Sequence, residues 1–174
     1  MKLKTPATVL ALLCAAFAHA EPSTVVDGPN GTDVVVSGNE GARAFHERWG
    51  YAPAVRAGDL IVLSGVIAGP APGDGQDAAA FRRSLERTFQ GIEEHLRALG
   101  ASLDDVIRIN SYHVWGSPHF EGDKLAHMNA VRDVKNQFMK ATPAWTAVGV
   151  SELFVETGLV EIELTVYVPH AVAD

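Results

Sequence analysis

Residues 159–168 alternate between two kinds of side chain with unusual regularity, and this alternation strongly constrains how the chain can fold. Because successive side chains of a β-strand point to opposite faces, a period of two predicts a strand. One face is entirely apolar and consists of Val160, Ile162, Leu164, Val166 and Val168. The other face is mixed and consists of Leu159, Glu161, Glu163, Thr165 and Tyr167. The apolar face must be covered by other elements, which predicts a layered domain.

Two helices are predicted to supply that cover. The first would begin after Asp77 and end at Gly100, because its apolar residues recur at intervals of three and four. Those residues are Phe81, Leu85, Phe89, Ile92 and Leu96. The second helix is predicted from Ser117 or Pro118 to Lys140. Its predicted core-facing residues are Leu125, Met128, Val131 and Phe138.

Further strands are predicted near residue 54 and at 59–67, 106–115 and 143–150, from β-branched and aromatic residues or an opening proline. A short hairpin is predicted where residues 24–26 and 34–36 flank a cluster of turn residues. A chain of 174 residues suits one domain of this kind. The sequence therefore predicts an α+β fold in which two helices cover one face of a mixed sheet.

The first twenty residues have the three-part pattern of a secretory signal peptide. Lys2 and Lys4 precede a largely apolar stretch at 7–17, and small residues surround a cleavage point after Ala20. The alternative is an N-terminal helix of the fold. Cleavage would remove Cys14, the only cysteine, which suits an oxidising compartment. We therefore expect a periplasmic or secreted protein.

The charge balance argues against two classes of partner. The formal net charge is −7, and Lys2 and Lys4 are the only charged residues among the first twenty, so removing them leaves −9. This acidity repels phosphate backbones and anionic lipid surfaces. We expect no nucleic-acid partner, and no membrane association once the signal is cleaved.

Glu161 and Glu163 are the most suggestive pair of titratable residues. On one face of a strand they lie about 7 Å apart. If that face is open to water they are simply solvated. If it meets a cleft or another chain, repulsion and burial raise one pKa, as a general base requires. The sequence leaves both readings open.

The remaining patterns favour neither a metal nor a cofactor. The histidines form no pair with the spacing of known metal ligands, so no metal site is predicted. Phosphate-cradling and dinucleotide-binding glycine motifs are absent from the sequence. His113 is interpreted as a hydrogen-bonded structural residue rather than a base.

Five segments, taken in order, resemble the Rid family (reactive intermediate deaminase, also called YjgF-like). They read GYAPAV at 50–55, GDLIVLSG at 58–65, LGASLDDV at 99–106, TPAWTAVGV at 142–150 and VEIE at 160–163. Each segment alone is weakly specific, but their order and spacing together are more so. The resemblance spans about 49–168.

The resemblance implies a chorismate-mutase-like α+β fold. It also implies a homotrimer with a barrel-like core of sheets, helices outside, and a ligand cleft at each subunit interface. The best-known members hydrolyse enamines and imines, such as 2-aminoacrylate tautomers, to 2-keto acids and ammonia without a cofactor. On this basis the chain divides into a signal peptide (1–20), an N-terminal extension (21–45) and a Rid-like domain (46–170).

Four binding residues follow from the resemblance. Tyr51 matches the aromatic residue that lines the cleft. Ser64 and Gly65 match the strand end that contacts the ligand. Asn129 matches a polar residue on the second helix.

The resemblance also implies a catalytic position and a departure from the family pattern. Glu163 matches the acid that positions or activates water. Glu161, two residues away on the same strand face, is expected to be a binding residue. Trp145 stands where the deaminases carry an arginine that clamps the substrate carboxylate. Tryptophan cannot supply that bidentate charge. We therefore expect an aromatic, acidic cleft that suits a neutral or cationic ligand better than an anion.

Three functions remain compatible with the sequence. The first is an exported, cofactor-independent hydrolase or deaminase that acts on an imine or enamine other than the usual 2-iminopropanoate. The second is a non-catalytic protein that binds a small molecule in the same cleft. The third is a purely structural or partner-binding trimer. Fold alone does not decide among them.

The signal-peptide pattern generates a direct prediction. Mass spectrometry of the protein isolated from its native host should find Glu21 as the first residue, because the small residues at 18 and 20 suit signal peptidase. A mature protein that retains Met1 or Lys2 would contradict it.

Overall fold

The computed structural model describes residues 21–169, and the predicted signal peptide at 1–20 lies outside that range. Within it the chain forms eight strands and three α-helices. In chain order these are β1 (Thr24–Asp27), β2 (Asp33–Val36), α1 (Glu40–Trp49), β3 (Ala54–Ala57), β4 (Leu60–Leu63), β5 (Val66–Ala68), α2 (Ala78–Ala98), β6 (Val106–His113), α3 (Lys124–Phe138), β7 (Ala144–Gly149) and β8 (Val160–Tyr167).

All eight strands belong to one mixed sheet. Its order is β1-β2-β3-β4-β8-β6-β7, and β5 pairs with β8 beside β4. The β6–β7 pair is parallel, and the other pairs are antiparallel. The predicted α+β class is therefore confirmed. The predicted hairpin also forms, as β1 and β2, and β3 joins it to the rest of the sheet.

Strand β8 has the two faces that its sequence predicts. Val160, Ile162, Leu164 and Val166 are each at most 2% exposed, and they form part of the main hydrophobic core. Glu161 and Glu163 on the opposite face are only partly buried. β8 therefore organises the core, because β4, β5 and β6 all pair with it.

Helix α2 also follows the prediction. The carboxylate of Asp77 caps it by accepting a hydrogen bond from the backbone N–H of Ala80 (2.7 Å). Gly100 follows the helix at φ +71°, a conformation that glycine adopts without steric cost. The apolar stripe predicted from the sequence is buried throughout.

Helix α3 begins later than predicted. Residues 117–122 form turns, and Asp123 is the N-cap, accepting from the N–H of Ala126 (2.7 Å). The prediction for Leu125 is wrong, because this side chain is 67% exposed on the outer face. The core-facing residues of α3 include His127, Ala130, Val131 and Val134.

Helix α1 was not predicted. The turn-forming residues before it suggested a loop, but the side chain of Asn39 accepts from the N–H of Ala42 (2.9 Å) and caps a ten-residue helix. Gly50 ends the helix at φ +69°. The fold therefore contains a third helix beyond the two expected.

A pair of buried imidazoles joins α3 to the sheet. Nδ1 of His113 on β6 lies 3.1 Å from Nε2 of His127 on α3, and both residues are at most 1% exposed. Burial lowers the pKa of each ring to about 4, and for His113 the charges on His127 and Lys124 lower it further. Both rings are therefore neutral at pH 7, and His113 is the hydrogen-bonded structural residue that was expected.

This pair predicts loss of stability in mild acid. Histidines titrate near pH 6.5 in an unfolded chain. Between pH 6.5 and 4, the two rings therefore bind protons in the unfolded state but not in the folded state. The stabilisation is complete above pH 6.5 and declines as the pH falls towards 4. Urea unfolding should show a free energy of unfolding lower at pH 5 than at pH 7 by roughly 2 kcal/mol per buried ring.

His127→Gln should weaken this pH dependence, whereas the matched change His119→Gln, in the loop before α3, should leave it intact. Equal stability of the unmodified protein at pH 5 and pH 7 would contradict the assignment.

Candidate functional site

The site is built on a break in the sheet. Val62 on β4 is the partner of Thr165, and Val66 on β5 is the partner of Ile162. Three residues (63–65) therefore oppose two on β8, which is a bulge of one residue. The predicted strand at 59–67 is thus two strands, β4 and β5, separated at Ser64 and Gly65.

Ser64 fixes the break by two hydrogen bonds. Its Oγ donates to the carbonyl of Ala52 (2.7 Å), and its N–H donates to the carbonyl of Pro53 (3.0 Å). Both acceptors lie just before β3, so the break is held against the loop that carries Tyr51. Tyr51, Ser64 and Gly65 are therefore brought together, as the family resemblance implied.

Glu161 completes this group. Any side chain at position 65 would collide with the Glu161 carboxylate, so Gly65 provides the room that the carboxylate occupies. Burial raises the pKa of Glu161, and the negative charge of Glu163 raises it further. Burial, then the charge of Glu161, also raises the pKa of the Tyr51 phenol. Glu161 is therefore a desolvated carboxyl group at the break in the sheet.

Glu163 is placed differently. Its Oε2 accepts hydrogen bonds from the Tyr112 hydroxyl (3.2 Å) and from Nδ2 of Asn110 (3.4 Å), both on β6. Asn110 is its direct partner across the strand pair. Glu163 is thus tied to the neighbouring strand, whereas Glu161 lies against Gly65. The two candidate acids therefore have different surroundings, with Glu161 at the break in the sheet and Glu163 held by β6.

A cavity of about 270 Å³ lies between α1, α2 and β5. Tyr51, Ser64 and Gly65 form part of its wall. The rest of the wall includes residues that sequence reasoning did not select, among them Phe45 and His46 of α1 and His95 of α2. Asn39 and Gly50, the two ends of α1, were the signals that could have located Phe45 and His46 on a helix.

The aromatic residues of the cavity wall pack against one another and against Trp49 and Phe154. The Phe154 ring lies 4.9 Å from the Trp49 ring and 5.8 Å from the Phe45 ring, measured between centroids. The His46 ring lies 4.8 Å from Tyr51 in an edge-on arrangement. These contacts fix α1 to Tyr51 and to the loop between β7 and β8, so the wall is defined by packing.

Two absences concern only the part of the chain that the structure describes. No group of three or more His, Cys, Asp or Glu side chains within residues 21–169 could hold a metal ion. Likewise, no helix in that range is long and apolar enough to cross a membrane.

Comparison with known proteins identifies the domain. The family model described as Endoribonuclease L-PSP matches residues 41–168. The chain belongs to the YjgF/Rid family. It is 32% identical to the RutC family protein YjgH of Escherichia coli (strain K12) over 124 residues, which is 70% of this chain and 85% of YjgH.

Solved structures agree with this assignment. A Mycobacterium tuberculosis member of the YjgF/YER057c/UK114 family superposes with a TM-score of 0.60 at 32% identity, covering 79% of this chain and 99% of that one. RidA from the Antarctic bacterium Psychrobacter sp. PAMC 21119 superposes with a TM-score of 0.53 at 27% identity, covering 68% and 88%.

Trp145 occupies the position where the resemblance to Rid deaminases implies an arginine. Its indole N–H donates to Oγ of Ser111 (2.8 Å), and that oxygen lies 2.8 Å from Nε2 of His113. The ring packs against the hydrophobic core on the helix-covered side of the sheet. Trp145 thus directs its single donor inward, away from any ligand.

The predicted site residues therefore fall into separate groups within one chain. Tyr51, Ser64, Gly65 and Glu161 meet at the break in the sheet. Trp145 lies on β7, an edge strand, on the face opposite Glu161 and Glu163. Asn129 is half-buried on α3 and is not part of the cavity wall. One chain does not bring Trp145 and Glu163 to a common cleft.

The arrangement predicts the titration of Glu161. Carbon-detected NMR should find its pKa above the ordinary glutamate value. Glu163→Gln should lower the pKa of Glu161, because it removes a neighbouring negative charge.

The matched substitution Glu121→Gln, in the exposed loop before α3, should leave the Glu161 pKa unchanged. A Glu161 that titrates at the ordinary value in the unmodified protein would refute the assignment of a desolvated carboxyl group.

Proposed function

We propose that this protein hydrolyses a small imine or enamine that lacks the carboxylate of 2-iminopropanoate. The observation that carries the proposal is Glu161, a desolvated carboxyl group that lies against Gly65 beside a 270 Å³ cavity. A carboxylate with a raised pKa is a better base near neutral pH than an ordinary glutamate. Membership of the YjgF/Rid family supports a small-molecule role.

The reaction that this site supports is simple hydrolysis. Glu161 would take a proton from water while the water oxygen forms a bond to the imine carbon and the C=N electron pair moves to nitrogen. The nitrogen takes up the proton held by Glu161 and the hydroxyl proton of the adduct, the C–N bond breaks to release ammonia, and the oxygen becomes the carbonyl of the product. An enamine enters the same sequence after protonation at carbon gives the imine.

The choice of substrate follows from Trp145. In the deaminases that the sequence resembles, an arginine at this position clamps a carboxylate. A charge-assisted pair of that kind is worth about 1.5–3 kcal/mol and also orients the substrate. Trp145 has no charge, and its N–H is engaged with Ser111. A substrate without a carboxylate avoids this loss.

Assembly into a trimer would complete the cleft. Leu60, Val62 and Tyr167 on the open face of the sheet are 44%, 56% and 47% exposed in the single chain, more apolar surface than a monomer usually leaves uncovered. Strand β7 is an unprotected edge. A neighbouring copy would cover these surfaces, and a cleft between copies would unite the residues that one chain keeps apart.

The same features disfavour RNA as the substrate, although the name of the matching family model refers to a ribonuclease. Glu161 and Glu163 share the open face of the sheet, and the net charge is −7. This distribution repels a phosphate backbone. We also propose that the protein acts in the periplasm or outside the cell, because its first twenty residues have the pattern of a secretory signal peptide.

Turnover measurements test the proposed function. Benzaldimine, which has no carboxylate, and 2-iminopropanoate can each be generated in place by an oxidase, and ammonia release followed with and without the protein. Release should accelerate with benzaldimine and not with 2-iminopropanoate. Glu161→Gln should cut the acceleration by about 10²–10⁴-fold, whereas Glu121→Gln should not change it.

Robust hydrolysis of 2-iminopropanoate would refute the substrate assignment. Undiminished turnover of benzaldimine by Glu161→Gln would exclude Glu161 as the base. Binding without any turnover of either imine would instead favour a binding protein.

Light scattering tests the assembly. The protein starting at Glu21 should have three times the subunit mass. Val62→Glu should shift it towards monomer, because this exposed position on the open sheet face would carry three buried charges in the trimer. If the unmodified protein is monomeric at all concentrations, the intersubunit cleft is ruled out.

A further inference from the structure

Two histidines that the proposed reaction does not use line the same cavity. His46 belongs to α1 and His95 to α2, so the two helices present imidazoles to one space. Nδ1 of His46 has no hydrogen-bond partner among the described residues and almost no accessible surface, so the ring must turn before this nitrogen can accept from a ligand. Nδ1 of His95 lies 3.0 Å from Oγ of Ser23, just before β1. When this nitrogen donates to Ser23, Nε2 of His95 presents a lone pair.

Both rings are neutral in the folded protein near pH 7. Burial lowers the pKa of His46. Burial also lowers the pKa of His95 to about 4, and the charge that His46 would carry lowers it further. The rings are therefore hydrogen-bond acceptors that do not repel a cation.

The charges around the cavity favour a cation over an anion. Arg87 is the only lysine or arginine in the described part of the wall, and it donates to the Asp74 carboxylate at 2.7 Å. Glu94 is part of the wall, and Glu161 lies directly behind Gly65. An anion would find no uncommitted cationic side chain there, whereas a protonated nitrogen would find several acceptors.

The remaining wall suits an apolar body. Phe45, Tyr51, Val66 and Ile67 contribute aromatic and aliphatic surface. A volume of about 270 Å³ accommodates a single ring with a short side chain. The cavity therefore combines apolar walls with acceptors at one end.

We propose that His46 and His95 form the subsite for the nitrogen of the ligand, and that the ligand is a small apolar amine or imine. The inference rests on the proposed function in that it concerns the same cavity and the same substrate. In the hydrolysis, N–H groups of an iminium would donate to the two imidazoles while the imine carbon lies at Gly65, the wall residue that contacts Glu161. His46 and His95 are thereby specificity-determining residues.

Binding of three matched compounds tests this subsite without requiring turnover. Benzylamine carries an ammonium group, benzyl alcohol is a neutral analogue, and benzoate is an anion. Calorimetry at pH 8 should show benzylamine binding about tenfold more tightly than benzyl alcohol, since a charge-assisted hydrogen bond replaces a neutral one. Benzoate should bind more weakly than either.

Two further measurements locate the binding. In the unmodified protein, NMR signals of the His46 and His95 rings should shift saturably with benzylamine, while those of His119 should not. His46→Leu and His95→Leu should each reduce the preference for benzylamine over benzyl alcohol by about threefold, and His119→Leu should leave it intact. The ring signals keep the test decisive if a variant fails to fold.

The outcomes separate this inference from the proposed function. Benzylamine binding at the histidines supports the subsite even if no imine is turned over. Turnover of benzaldimine without a shift of either ring signal overturns the subsite and leaves the hydrolase in place. Benzoate binding as tightly as benzylamine, or a preference unchanged in both variants, also overturns it.

Discussion

The architecture depends on the two faces of β8. This strand pairs with β4 and β5 on one side and with β6 on the other. The apolar residues of its inner face belong to the same core cluster as those of α2 and α3. The other face must then carry Glu161 and Glu163, because side chains alternate. The bulge at Ser64 and Gly65 gives the two carboxylates different contacts. It places the partly buried Glu161 carboxylate against Gly65, and it leaves Glu163 hydrogen-bonded to β6.

Trp145 does more than lack the charge of the arginine that the family resemblance implies at this position. The indole N–H donates to Ser111, Ser111 lies in contact with His113, and His113 shares a hydrogen bond with His127. This chain of groups runs from an edge strand to the interior of α3, with each buried polar atom engaged by the next. An arginine at position 145 could not enter it without bringing a charge beside two neutral imidazoles. The half-buried Trp145 side chain therefore packs against the core.

The features that the sequence predicted correctly are those set by local periodicity. The alternation of β8 and the stripe of α2 each reflect a repeat of the backbone itself, so neighbouring residues determine them. Helix α1 was missed because the glycines and polar residues around Asn39 are equally typical of a loop. The family resemblance points to Glu163, and spacing alone does not distinguish it from Glu161, because residues two apart on a strand share a face. The bulge that distinguishes them arises from pairing between β5 and β8, which are almost a hundred residues apart in the chain.

Helix α1, which the sequence did not predict, supplies part of the cavity wall. Phe45 and His46 reach the cavity only because Asn39 and Gly50 set the ends of α1, and Ser23 ties the segment before β1 to His95 on α2. The sheet supplies Gly65 and Glu161, whereas α1 and α2 supply His46 and His95, the uncharged acceptors of the proposed subsite. Under the proposed function, reaction chemistry and ligand choice would therefore reside in different elements, and the second could change while the core around β8 remains intact.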